Sequence, residues 1–147
     1  MTSVPALYAL LVRPTGEVEL TDWTADTTAA ALLAADCTEP FEVARQLTAW
    51  VDDHAVPLHL PANHPASALV RMYLHIPAPY FGPVLFTGRL SDDPLSGGAH
   101  GLTEDQALIL LDRVLNAISR VGVSGGVCQW LGSWSWVFVA GQRVVAG

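Results

Sequence analysis

Three histidines recur at regular spacing in the middle of the chain, beside an acidic pair. They are His54, His59 and His64, and the pair is Asp52 and Asp53. Imidazole nitrogens and carboxylate oxygens are ligands that proteins use for zinc and iron. The spacing matches neither H-x-x-x-H on a helix nor another standard metal motif. The segment therefore predicts surface histidines around a turn and no cofactor, with a metal site as the alternative.

Asn63 stands among these histidines and has two interpretations. As an amide that orients a ligand, it would form a small-molecule site with His59, His64 and Arg71. As a helix N-cap, its side-chain oxygen would accept a hydrogen bond from one of the first free N–H groups of a helix. Pro65 would then fall in the first turn, where its missing N–H costs nothing. The sequence favours the cap.

The two cysteines, Cys37 and Cys128, are far apart in the sequence and form no C-x-x-C motif. Cys128 could act as a nucleophile with a histidine as its base. However, no neighbouring cation or helix start would activate its thiol. We interpret both cysteines as small, reduced structural residues.

Tryptophans are concentrated near the C-terminus. Trp134 and Trp136 share one face of a predicted strand over residues 134–140, and Trp130 lies on the strand before it. Tryptophan is enriched at binding hot spots, and it also builds cores. Two interpretations stay open: packing against a predicted helix at residues 103–121, or a surface that binds a ligand or a partner.

Composition limits the classes of partner. Apolar residues make up 51% of the chain and charged residues 14%, against about 25% charged in typical soluble domains. With so few charges, we expect part of the surface to be buried in a partner, most simply a second copy in a homodimer. The net charge of −7 and the scattered arginines argue against direct nucleic-acid binding.

Hydropathy predicts neither a membrane span nor a leader sequence. No run of residues reaches the roughly 18 consecutive apolar residues of a transmembrane helix. The N-terminus lacks the charged and apolar regions of a signal peptide. We therefore expect a cytoplasmic protein without membrane contact.

Periodicity and turn residues predict the elements that would position these side chains. The strongest helix signal lies at residues 103–121, where Thr103 and Gln106 form a capping box and an apolar stripe begins at Leu108. Another helix begins after Asn63, and the earlier one covers residues 27–35. The predicted strands cover residues 6–13, 17–20, 41–47, 48–52, 58–60, 84–87, 127–131, 134–140 and 143–146.

This order of elements predicts an α+β fold. We expect a mostly antiparallel sheet with two or three helices on one face, followed by a C-terminal helix and β-hairpin. Residues 1–90 would form an α+β domain containing the Asn63 turn. Residues 91–147 would form an extension packed on it.

Residues 60–69 read L-P-A-N-H-P-A-S-A-L; an acidic pair precedes them, and G-P-V-L-F-T-G follows at residues 82–88. With its L-P-x-N-x-x-A-[S/T]-x-L motif, the region of about residues 6–88 resembles a family of small proteins known only as a domain of unknown function. That family is borne by phages, plasmids and actinobacteria. The resemblance implies a fold unit and a genomic setting, and it carries no catalytic residues.

Two classes of function follow. The favoured one is a small, non-enzymatic accessory protein of phage, plasmid or mobile-element type that acts by protein–protein interaction. One version is an acidic decoy that blocks a nucleic-acid-binding protein. The alternative is a small enzyme or a ligand- or metal-binding domain with its site near Asn63, His59 and His64. A structural component of a particle is a third possibility.

Overall fold

The structure, a computed structural model, describes residues 7–24, 26–74, 79–91, 98–120, 126–131 and 135–140. None of the described helices is long and apolar enough to cross a membrane. The elements in chain order are β1 (Tyr8–Val12), β2 (Val18–Asp22), α1 (Ala29–Leu33), β3 (Thr38–Ala44), β4 (Leu47–Asp52), α2 (His64–Leu74), β5 (Val84–Thr87), α3 (Glu104–Arg120), β6 (Gly126–Leu131) and β7 (Ser135–Ala140).

The strands of the described residues form one sheet in the order β3-β4-β5-β1-β2-β7-β6. Every neighbouring pair is antiparallel. This confirms the predicted α+β class with its mostly antiparallel sheet. The strand β1 lies between β5 and β2, and its side chains are covered on both faces. A strand covered on both faces is typically a continuous apolar run, which is what the sequence shows there.

The two faces of the sheet carry different helices. Side chains alternate along β1, so Leu10 and Val12 point to one face and Leu11 points to the other. Leu10 and Val12 join the cluster that includes the buried residues of α2 and α3. Leu11 joins a second cluster, which contains Leu33 of α1. Two helices thus lie on one face, as expected, and α1 covers the opposite face.

The C-terminal elements continue the same sheet and core. The strand β7 pairs with β2, and Leu20 lies opposite Trp136. Leu102, just before α3, exchanges backbone hydrogen bonds with Tyr8 at N···O distances of 2.7 and 2.8 Å. The helix α3 buries Val114 in the cluster shared with α2 and β1. The sheet and the core therefore run across the boundary expected near residue 90.

The predicted strand at residues 58–60 is wrong, because residues 53–59 form a turn. The backbone N–H of Leu58 donates to the carbonyl of His54 at 2.9 Å, a local bond that no strand makes. His59 has a φ of 54°, in the left-handed region. An alternation of three residues is too short to distinguish a strand from a turn, and here the local hydrogen bonds decided.

Candidate functional site

Asn63 is completely buried and makes three side-chain hydrogen bonds. Its Nδ2 donates to the carbonyl of Val12 at 2.8 Å and to that of Gly82 at 2.8 Å. Its Oδ1 accepts from the N–H of Ala66 at 3.0 Å, which confirms the helix cap. A single side chain thus joins the end of β1, the segment before β5 and the first turn of α2.

The backbone around Asn63 is bonded just as fully. Its N–H donates to the carbonyl of Tyr80 at 2.7 Å, and its own carbonyl accepts from the N–H and the hydroxyl of Ser67 at 3.0 and 2.7 Å. The Ser67 Oγ in turn accepts from the N–H of Tyr80 at 2.9 Å. Because the Asn63 amide is enclosed and bonded within the chain, it does not present a surface to a ligand.

Tyr80 connects this turn to the edge strand β3. Its ring stacks on Phe41 of the edge strand β3, with ring centroids 5.1 Å apart and an interplanar angle of 14°. Burial raises the pKa of the Tyr80 phenol above its usual value. The neutral phenol is therefore favoured in the folded state, which predicts a dependence of stability on alkaline pH.

We expect the free energy of unfolding to fall as the pH rises above about 10, the pKa of an unfolded tyrosine. Above that pH the unfolded chain gains a tyrosinate, whereas the folded chain keeps Tyr80 protonated until its raised pKa is reached. Below about pH 10, Tyr80 is neutral in both states, so its contribution to the free energy of unfolding is fully retained. Since the chain contains no lysine, few other groups titrate in this range.

Urea unfolding at several alkaline pH values would measure this effect. Tyr80→Phe should flatten the alkaline loss of stability, and Tyr8→Phe should retain it as the matched control. The same alkaline slope in Tyr80→Phe and in the parent protein would contradict the prediction.

The three candidate histidines do not form a common metal site among the described residues. His54, His59 and His64 are all exposed. Among the described residues, no group of three or more histidines, cysteines, aspartates or glutamates could hold a metal ion. Asp52 is buried and its Oδ1 accepts from the backbone N–H of His54 at 2.8 Å. That carboxylate therefore shapes the turn that carries the histidines.

Arg71 and the C-terminal tryptophans are the remaining site candidates from the sequence. Arg71 is exposed on α2, so it shares no surface with the enclosed Asn63 amide. Trp130 of β6 lies opposite Trp136 of β7 in the strand register. Trp134, like the strand predicted over residues 143–146, falls outside the described residues. Whether the tryptophans form a core or an interface stays a prediction.

The structure shows a pocket of about 160 Å³ that the sequence did not predict, which we call the α3 pocket. It lies between the β3–β4 turn, the end of α2 and the first turns of α3. The buried side chains of Leu47, Leu102 and Leu110 form its inner wall, and the exposed Arg45 and Ile109 form its edge. The pocket is open to solvent and mostly apolar.

Hydrogen bonds hold the edge of the α3 pocket in place. The predicted capping box is confirmed: Thr103 N–H donates to Gln106 Oε1 at 3.0 Å, and Gln106 N–H donates to Thr103 Oγ1 at 3.2 Å. Gln106 Nε2 also donates to Gln46 Oε1 at 3.3 Å, which connects α3 to the β3–β4 turn. On the α2 side, Arg113 donates to the Tyr73 hydroxyl and lies over its ring, 5.3 Å from the centroid.

One signal in the sequence could have located this surface. Residues 107–111 read A-L-I-L-L, and a helix that packs on one side cannot bury all five. Leu108, expected in the buried stripe, is 50% exposed, and Ile109 beside it is 55% exposed. Leu110 is buried instead. The predicted stripe is therefore wrong at Leu108 but holds at Leu111, Val114 and Ile118, which are buried, and two consecutive apolar side chains face solvent.

A second apolar surface lies on the turn at residues 53–59, which we call the 53–59 loop. Val56 is 66% exposed and Leu58 is 60% exposed. Exposed apolar groups of this kind often mark contacts with other molecules.

In the comparisons with known proteins, no family model, no curated protein and no solved structure matches the chain.

Proposed function

We propose that this protein acts by binding another protein and carries out no chemistry of its own. The observation that supports this most directly is the exposure of Leu108 and Ile109, at 50% and 55%, beside the open α3 pocket. An apolar pocket next to exposed apolar side chains is suited to an anchor side chain from a partner. The surrounding polar side chains would form the rim of such an interface.

The arginines near the α3 pocket indicate the charge that a partner would carry. Among the described residues, the only ion pairs are those of Arg13 with Glu17 and Glu19, so Arg45 at the pocket edge has no carboxylate partner there. Arg113 lies over the ring of Tyr73. Arginine is enriched at protein interfaces because its planar guanidinium binds carboxylates and stacks on aromatic rings. A partner with an acidic group next to an apolar side chain would match this surface.

The wider setting is inferred from the sequence. The motif at residues 60–69 supports an accessory protein of phage, plasmid or mobile-element type that works in the cytoplasm. Its Asn63 caps α2 and joins three segments of the fold, so it would be needed for the fold unit rather than for a reaction. The low share of charged residues, 14%, supports a homo-oligomer.

The test is native mass spectrometry of the protein purified gently from its own host. The parent protein should retain a protein partner, and a Leu108→Ser/Ile109→Ser variant should lose it. Leu90→Ser, at a site that is 47% exposed on another part of the chain, is the matched control and should retain the partner.

Two results would contradict the proposal. One is a partner that is held equally by both variants, because the partner would then bind elsewhere. The other is a stoichiometric metal or small molecule that is lost in His59→Ala or His64→Ala, which would support the enzyme or ligand-binding alternative.

A further inference from the structure

We infer that copies of this protein associate head to tail, with the 53–59 loop of one copy inserted into the α3 pocket of the next. This inference rests on the proposed function and names one partner, a second copy of the chain. The two surfaces are complementary in polarity, size and charge, and they lie at opposite ends of the strand β4.

The 53–59 loop presents exposed apolar side chains on an ordered backbone. Val56 and Leu58 are the most exposed large apolar side chains among the described residues, at 66% and 60%. Backbone bonds hold the loop: Leu58 N–H donates to His54 at 2.9 Å, and Leu60 N–H donates to Ala55 at 3.0 Å. A loop that is already ordered loses less conformational entropy on binding than a flexible one.

The α3 pocket has the size for one such side chain. Its volume is about 160 Å³, and an apolar cavity of about 150 Å³ accepts a group as large as benzene. The wall residues Leu47, Leu102 and Leu110 are 8%, 2% and 3% exposed, so the surface that would receive Leu58 is preformed. Insertion would remove both Leu58 and Ile109 from water, which is favourable in proportion to the apolar area buried.

The charges next to the two surfaces are opposite. Asp53 is exposed at the start of the 53–59 loop, and Arg45 is exposed at the edge of the α3 pocket. Within the described part of the chain, neither takes part in an ion pair. Docking the loop would bring the carboxylate of Asp53 near the guanidinium of Arg45. Such a pair at the rim adds orientation more than affinity.

The positions of the two surfaces show that a loop and a pocket from different copies must meet. The strand β4 begins at Leu47, in the pocket wall, and ends at Asp52, where the loop starts. Strands rise about 3.4 Å per residue, so roughly 17 Å separates these ends. The loop therefore cannot fill the pocket of its own chain. When such a contact repeats head to tail it is heterologous, and it produces a ring or an open chain of subunits.

Sedimentation velocity of the purified protein and two single variants tests the inference. Leu58→Asp removes the anchor, and Ile109→Asp disrupts the pocket; both sites are exposed, so both variants should fold, which circular dichroism would verify. The parent protein should form assemblies that grow with concentration. Each variant should raise the apparent Kd of self-association at least about 30-fold, because each removes a central apolar contact.

Mixing the two variants is the decisive step. The Leu58→Asp protein keeps an intact pocket and the Ile109→Asp protein keeps an intact loop, so the mixture should form a species of two subunits and grow no further. A parent protein that stays monomeric at every concentration would overturn the inference, even if it still binds a host protein as proposed above. Oligomers that persist in both variants would also overturn it, since they would show an interface between like surfaces.

Discussion

Replacing Asn63 with alanine is expected to lower the free energy of unfolding by about 3–5 kcal/mol. The substitution removes the donors to the buried carbonyls of Val12 and Gly82, and it removes the acceptor for the Ala66 N–H. A buried polar group without a partner costs about 1–3 kcal/mol, and a lost N-cap costs about 1 kcal/mol. Urea unfolding monitored by circular dichroism would measure the change.

Two further variants make the Asn63 result specific. Asn63→Asp keeps an acceptor for the helix but places a second oxygen against the two carbonyls, so it should destabilise at least as much as alanine. Asn116→Ala, on the exposed side of α3, should change stability by less than about 0.5 kcal/mol. If Asn63→Ala lost less than about 1 kcal/mol, these hydrogen bonds would contribute far less than their burial implies.

Phe86→Ala is expected to cost about 3–5 kcal/mol. Phe86 is completely buried, and its strand β5 pairs on both sides, with Leu10 and Ala49 opposite this residue. Truncation removes the largest fully buried side chain of the described residues and leaves a cavity between the sheet and its helices. Partial collapse of the neighbours cannot fill the volume of a phenyl ring.

The control for this prediction is Phe81→Ala, at a half-buried position just before β5. It deletes the same group, but part of that group is already in contact with water, so the loss of stability should be clearly smaller. Equal losses for the two variants would contradict the assignment of Phe86 to the centre of the core. Chemical denaturation with a fixed slope would distinguish the outcomes.

Local signals in the sequence predicted several elements closely. The strand at residues 84–87 was predicted with the bounds that the structure shows, because an apolar run between two glycines has few other interpretations. The capping box of Thr103 and Gln106 and the cap of Asn63 were predicted because caps depend on residues three apart in the chain. Such contacts are formed by the chain within one helical turn.

Contacts between distant segments could not be predicted from the sequence. The Asn63 amide binds Val12, which is 51 residues away, and Gly82, which is 19 residues away. The pattern around Asn63 indicates a cap but contains no information on which carbonyls meet its Nδ2. For the same reason, the sequence could not show that this amide is completely buried and hydrogen-bonded within the chain.

By itself, then, the sequence determined the α+β class, the starts of α2 and α3 and the apolar strands, because these depend on periodicity and on caps within a few residues. Only the tertiary structure decided that Leu58 points into solvent, that Leu108 and Ile109 stay exposed, and that three separate segments line the open α3 pocket. Burial is set by which elements pack against each other. An apolar side chain that no element covers looks the same in the sequence as one in the core.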